Sequence, residues 1–191
     1  MTYIIVDLAT GSYTRLWRKA QDEIAKSTDK LKNNYIGLDP TKFVTFPAVV
    51  KDDMLICFSA LQMEQRWGSK IARCSTRMWI HPDYRFTGMT KFTGGQKFLN
   101  TTYCLPVQIA KAKELGLDCI FISREDNPAA FAEYVKLVKI NTAETFELLD
   151  SMVNVCGITP VPDSCRQYVA VNYLTDNGQN SWQNTMNQFY L

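Results

Sequence analysis

Between residues 42 and 81 the chain carries three extended apolar segments in succession, Lys42–Val50, Met54–Glu64 and Lys70–His81, none with a helical repeat. Nothing else in the sequence narrows the fold as much. Such runs bounded by turn residues read as strands. Asp52-Asp53 predicts a tight turn between the first two and Trp67-Gly68-Ser69 a second, so the segments form an antiparallel meander. Thr2–Leu8 is a strand ahead of it. A helix from Thr14 to about Lys32 follows that strand, with Leu16, Trp17, Ala20, Ile24 and Leu31 at helical spacing and Ser12 or Thr14 able to cap it. Pro82 ends the third meander strand, and Arg85–Asn100, rich in Gly, Thr and Lys, reads as a loop.

Beyond that loop the pattern alternates. A helix is expected from about Thr102 to Leu115, closed by Gly116. Leu117–Ser123 is a doubly buried strand. Asn127 opens another helix with Pro128 at its first position, where a missing N–H does no harm, and Ala130, Phe131, Tyr134, Val135, Leu137 and Val138 mark its buried face. Two β segments, about Phe146–Val155 and Tyr168–Leu174, precede a polar tail ending in Phe189-Tyr190-Leu191. There is neither repeat nor linker, and residues 1–191 are expected to form one α/β (α+β) domain.

Composition removes several chemistries. The 191 residues, 46% hydrophobic and 21% charged, are enough for a continuous core and argue against disorder. The single histidine, His81, excludes a multi-His metal site, and any Ser-His-Asp or Cys-His engine would have to pass through it. Six cysteines, Cys57, Cys74, Cys104, Cys119, Cys156 and Cys165, are widely spaced without a C-x-x-C pair, and five lie in or beside apolar runs. They read as reduced, buried thiols rather than disulfides or metal ligands. No signal peptide and no apolar run of membrane-spanning length is seen, so a cytoplasmic location is expected, with no membrane partner and no bound metal.

Charge is unevenly distributed. Residues 1–100 carry 15 Lys/Arg against 9 Asp/Glu, whereas residues 101–191 carry 6 against 10. From Arg66 to Lys97 there are seven cations and one anion, Asp83. That stretch reads either as a solvated basic face or as a phosphate site.

Within it the chain runs Ile80-His81-Pro82-Asp83-Tyr84-Arg85-Phe86-Thr87-Gly88-Met89-Thr90, and after the buried strand come Asn127, Ala130 and Tyr134. The first segment resembles the V-x-P-x-Y-R-x-x-G-x-G/A signature of the GNAT superfamily of acetyl-CoA-dependent N-acetyltransferases. The second resembles that family's Asn, Ala and Tyr spacing, and the likeness covers roughly residues 40–140 in order. It departs at Thr90, where the family has Gly or Ala, and at Lys91–Thr102, which intervenes before the helix. The resemblance implies a central mixed, mostly antiparallel sheet flanked by helices, with acetyl-CoA as co-substrate and an amine acceptor that attacks the thioester directly. It places the cofactor at Ile80, Arg85, Gly88, Met89, Thr90 and Asn127.

The physical roles follow. Gly and small residues before a helix expose N–H groups to a pyrophosphate, and Arg85 can pair with phosphate oxygens. A strand Arg73–His81 that splays from its neighbour offers main-chain groups to the pantetheine arm and an N–H to the thioester oxygen. Tyr134, a phenol of pKa about 10, suits protonation of a departing thiolate. Glu64 is the first candidate for the base that deprotonates the amine, with Asp83 and His81 behind it.

Ordinary packing competes with each role: Tyr134 as a core aromatic, Arg85 and Gly88 as a plain turn, Trp67 and Trp79 as packing residues. Two other functions stay open. The basic segment with Trp67, Trp79 and Phe86 could carry nucleic acid, and Ser123-Arg124-Glu125-Asp126 with Tyr134 resembles the Mom proteins, GNAT-like phage enzymes that modify adenine in DNA. Alternatively, the fold serves as an inactive binding module, its polar C-terminal segment with Trp182, Phe189 and Tyr190 docking a partner or completing a homodimer, although a tail packed back onto its own domain is the plainer reading of that segment.

Overall fold

The computed structural model describes residues 3–28, 32–63, 70–85, 99–124, 142–148 and 167–187. Seven strands are present: β1 (Ile4–Asp7), β2 (Pro47–Lys51), β3 (Met54–Met63), β4 (Ile71–Ile80), β5 (Cys119–Arg124), β6 (Thr142–Leu148) and β7 (Gln167–Tyr173). The helices are α1 (Thr14–Lys26), α2 (Leu105–Glu114) and α3 (Gly178–Asn187). Pairing is antiparallel for β1–β2, β2–β3, β5–β7 and β6–β7, and parallel for β4–β5. The architecture is therefore α+β, a mixed and mostly antiparallel sheet with helices.

The chain divides into two compact units, Met1–Gln62 with Ser75–Lys111 and Met63–Cys74 with Ala112–Leu191. In the first, strand order is β1-β2-β3-β4. The turn between β2 and β3 lies at Asp52-Asp53, with φ of 49° and 58°, and Lys51 faces Met54 across it. Positive φ at both central residues is the primed two-residue turn that matches strand twist, which is why a short acidic pair suffices. Trp17, Ala20 and Ile24 put one face of α1 into a core with Ala48, Val50, Leu55, Phe58, Ala60 and Trp79. Phe58 is its centre, with the Trp17, Phe46, Tyr35 and Trp79 rings at 5.1, 5.4, 5.9 and 5.4 Å. Burial of each such ring is worth about 1.5–3 kcal/mol. A separate cluster joins Val49, Ile56 and Cys57 to Leu99 and Cys104.

In the second unit β4 meets β5 only at Ile71↔Cys119, Ala72↔Ile120 and Arg73↔Phe121, while β5 goes on pairing with β7 to Arg124↔Tyr168. The end of α2 is a Schellman turn: Gly116 has φ 66° and donates to Lys113 O, and Leu117 N donates to Ala112 O, both at 3.0 Å. Helix α3 packs Trp182 against Phe121, with ring centroids 5.5 Å apart. Its N-terminus is tied to the Asp118 carboxylate, which accepts from Thr175 Oγ1 at 2.7 Å, Ser181 Oγ at 2.6 Å and Asn177 Nδ2 at 3.3 Å. These hydrogen bonds, Ser181 foremost, hold the Asp118 carboxyl below its ordinary value.

Several expectations need correction. Helix α1 stops at Lys26, and its N-cap is Tyr13, without a side-chain cap. Thr14 Oγ1 instead donates to Gly11 O, and Ser12 makes no cap. The strand expected from Lys42 begins at Pro47, because Pro40–Lys42 is a 3-10 turn capped by Asp39. The supposed polar tail is helix α3, and its apolar anchor, Trp182, is 1% exposed. Turn Trp67-Gly68-Ser69, the helix from Asn127 and the tail end lie outside the described residues, as does most of the loop after Arg85.

Candidate functional site

Strand β4 is where regular structure is broken on purpose. Ser75 and Arg77 have φ of 52° and 51°, left-handed conformations in which an L side chain crowds the next carbonyl at about 1–2 kcal/mol each. Such residues persist only when their surroundings hold them there. They lie two and four residues beyond Arg73, the last residue of β4 paired with β5.

Three polar side chains hold Ser75. Its N–H donates to Gln108 Oε1 at 2.8 Å, Gln108 Nε2 donates to Ser59 Oγ at 2.8 Å, Ser59 Oγ donates to Asn100 Oδ1, and Asn100 Nδ2 donates back to Ser75 Oγ at 3.0 Å. Gln108 Nε2 also reaches Ser59 O at 3.1 Å. Ser59, Asn100 and Gln108 are buried, and a head-to-tail ring in such a place strengthens each of its bonds.

The helix supplies its two members through a wide turn. Asn100–Cys104 is π-helical, with Leu105 N–H bonded to Asn100 O. Pro106 accounts for it, since an α-turn there would lack a donor and press the ring on the carbonyl four residues back.

The C-terminal end of β4 is pinned by His81 N–H donating to Ile56 O at 2.8 Å. His81 then caps a 3-10 turn, Pro82–Tyr84: its Nδ1 accepts from Asp83 N at 3.2 Å, and its carbonyl accepts from Tyr84 N at 2.8 Å. The Asp83 carboxylate lies 3.7 Å from Nδ1. Lys51 Nζ donates to Tyr84 Oη at 2.9 Å, and this bond raises the Lys51 pKa. Arg85 is exposed, its Nε donating to Ile80 O at 2.5 Å and its guanidinium 5.9 Å from the Trp79 ring centre.

Of the residues singled out in the sequence, Ile80 and Arg85 are thus adjacent at the strand end, and Trp79 is a packing residue stacked on Phe58. Glu64, Gly88, Met89, Thr90, Asn127 and Tyr134 lie outside the described residues, as do Trp67, Phe86 and most of Lys91–Thr102. Thr101 and Thr102 themselves belong to the π-turn. The ring Ser59, Ser75, Asn100 and Gln108 escaped notice, although Ser59 and Gln108 stand out as polar residues inside apolar runs.

Cys57, Cys74, Cys104 and Cys119 are free and buried. Burial pushes Cys74 and Cys119 up to about 12 and holds Cys57 well above its ordinary value, so these three are not thiolate nucleophiles. Cys156 and Cys165 lie outside the described residues. No cluster of three metal-type ligands occurs among the described residues, and no helix there is long and apolar enough to cross a membrane.

The architecture matches solved acetyltransferases over nearly the whole chain. A Salmonella typhimurium structure holding acetyl-CoA superposes with a TM-score of 0.56 at 8% identity, covering 92% of this chain and 96% of that one. The ribosomal-protein-S18-alanine N-acetyltransferase of Escherichia coli gives 0.54 at 15% identity, covering 94% and 98%. The fold is that of the GNAT acetyltransferases. A GNAT family acetyltransferase from Elizabethkingia anophelis with acetyl-CoA bound agrees, at 0.51 and 12% identity over 90% of this chain and 98% of that one. No protein-family model matches the sequence, and no curated protein matches it either. The GNAT likeness thus resides in the backbone, where sequence identity has fallen to a trace.

Proposed function

We propose that the protein is an acyl-CoA-dependent N-acetyltransferase that passes an acetyl group to an amine by direct attack. The observation that carries this reading is β4. On a GNAT fold, its left-handed residues Ser75 and Arg77 follow the point where pairing with β5 ends. Main-chain groups of β4 after Arg73 would receive the pantetheine amides and the thioester oxygen, and Arg85 at the strand end would meet phosphate.

Acetyl-CoA supplies an activated acyl group whose departing thiolate needs only a proton. In this reading Ile80, Arg85, Gly88, Met89, Thr90 and Asn127 bind it, Tyr134 delivers that proton, and Glu64 takes the proton from the incoming ammonium. No covalent enzyme intermediate is needed, which suits a chain whose only imidazole caps a turn and whose Cys57, Cys74 and Cys119 thiols are held protonated.

Calorimetry with acetyl-CoA tests the proposal. Wild type is expected to bind, and Gly88→Trp to lose binding by filling the phosphate loop. Absence of binding by wild type at millimolar ligand would sink the reading. Titration with duplex DNA at low salt separates it from a nucleic-acid role, since phosphate-driven binding would fall steeply as salt is raised.

A further inference from the structure

We infer that the ring Ser59–Asn100–Ser75–Gln108 is a positioning device for the acyl group, acting through the main chain of β4. The inference rests on the acetyltransferase reading above and assigns to that site four residues outside the family signature. None of them is expected to touch the reacting atoms.

The argument begins with the strain. A serine at φ 52° has no local reason to stay there, and relaxation to extended geometry would return β4 to a regular strand. Two polar groups of Ser75 are held, its N–H by Gln108 and its Oγ by Asn100. Neither amide can turn over to let go, because each is fixed at its other end by Ser59, which accepts from Gln108 and donates to Asn100. All four groups are therefore oriented by one another.

An apolar quartet would pack this interior without strain, and buried polar groups are tolerated only when fully paired. A structural purpose alone does not call for a ring whose two ends both close on the one left-handed serine. What the ring accomplishes is to hold the peptide units after Ser75 turned away from ladder geometry before any ligand arrives. Preorganised main-chain donors of this kind act on a developing oxyanion without reorganising, and the acyl end of the cofactor is the part that senses them. The π-turn belongs to the same device: it brings Asn100 as well as Gln108 onto Ser59 and Ser75, which an unbroken α-helix with these residues eight apart would orient differently.

The test compares acetyl-CoA with CoA, which differ only in the acetyl group. Both are titrated calorimetrically into wild type, Gln108→Met, Gln108→Glu and Ser59→Ala, with amide exchange at Ser75 followed by NMR in the ligand-free proteins. In Gln108→Met, which keeps length and removes the cap on Ser75, acetyl-CoA affinity should fall about tenfold, the equivalent of one hydrogen bond, while CoA affinity stays within about twofold. Gln108→Glu keeps the oxygen that faces Ser75 N–H but sets an acceptor against Ser59 O where Nε2 had donated, so it should show the same selective loss. Ser59→Ala, the mildest change, covers the case in which Gln108→Met fails to fold, and it should show the same selective loss with faster Ser75 exchange. Folded variants whose acetyl-CoA to CoA ratio matches wild type would overturn the positioning role, leaving the ring a structural feature. A wild type that binds neither ligand would instead overturn the acetyltransferase reading itself, and the acyl role with it.

Discussion

Ser75, Arg77, Asp52 and Asp53 are the four described residues other than glycine with positive φ, and they divide by what holds them. The aspartates sit in an exposed two-residue turn that their own backbone preference tolerates. Asp53→Gly should therefore stabilise the protein by about 0.5 kcal/mol, because glycine adopts φ 58° without a crowded Cβ, and urea unfolding will read it. Ser75 has no such freedom and is held by the buried ring. Asp118 shows the electrostatic counterpart. Its carboxyl is held below 3.8 in the folded state, first by Ser181 and then by Thr175. A depressed folded value means that the stabilisation is complete above the unfolded value and disappears as pH falls through the folded one. Asp118→Asn should cost about 1–3 kcal/mol at pH 7, and the gap to wild type should close below about pH 3.8, measured by urea unfolding at both ends.

At the scale of elements, α3 and β4 show two ways in which local pattern and tertiary role part company. Read locally, Asp176 to Gln188 is a polar stretch with one tryptophan and several Asn and Gln, residues that favour caps and turns. It is a helix because Trp182 finds Phe121 and because Asp118, distant in sequence, collects its first-turn donors. Gly178 permits that docking: a Cβ there would stand 2.6 Å from Asp118 O and 2.9 Å from Tyr173 Cβ. Gly178→Ala should accordingly lower stability by about 1–3 kcal/mol, seen as a reduced Tm, with α3 the first segment to lose amide protection. In β4 the alternation of apolar residues predicts a strand, and a strand forms. The left-handed turns inside it leave no such trace, since Ser and Arg carry no φ preference that would announce them.

For the whole molecule, the order of elements was the readable part. Three strand-like segments in a row, a helix closed by Gly116, a buried strand and a late β pair are present at or near their expected places, because periodicity records which face meets a core. The family signature pointed to the same fold, which superposition with acetyl-CoA-bound structures supports at 8% and 12% identity. If acetyl-CoA is the natural co-substrate, it should raise Tm in a concentration-dependent way, by the equivalent of about 2.7 kcal/mol at a hundred times Kd, while free acetate has no effect. A thermal scan with acetyl-CoA, CoA and acetate will decide it. The sequence by itself determined the α+β class, the order of α1, α2 and the strands from β1 to β5, the Asp52-Asp53 turn and the exclusion of multi-histidine chemistry, because these rest on contacts between near neighbours and on composition. Only the tertiary structure decided that Ser59, Ser75, Asn100 and Gln108 form one ring, that the pairing of β4 with β5 ends at Arg73, and that the polar C-terminal segment is a docked helix. Those depend on groups tens of residues apart being brought within hydrogen-bond reach, and a directional contact of that kind leaves no periodic mark on the chain.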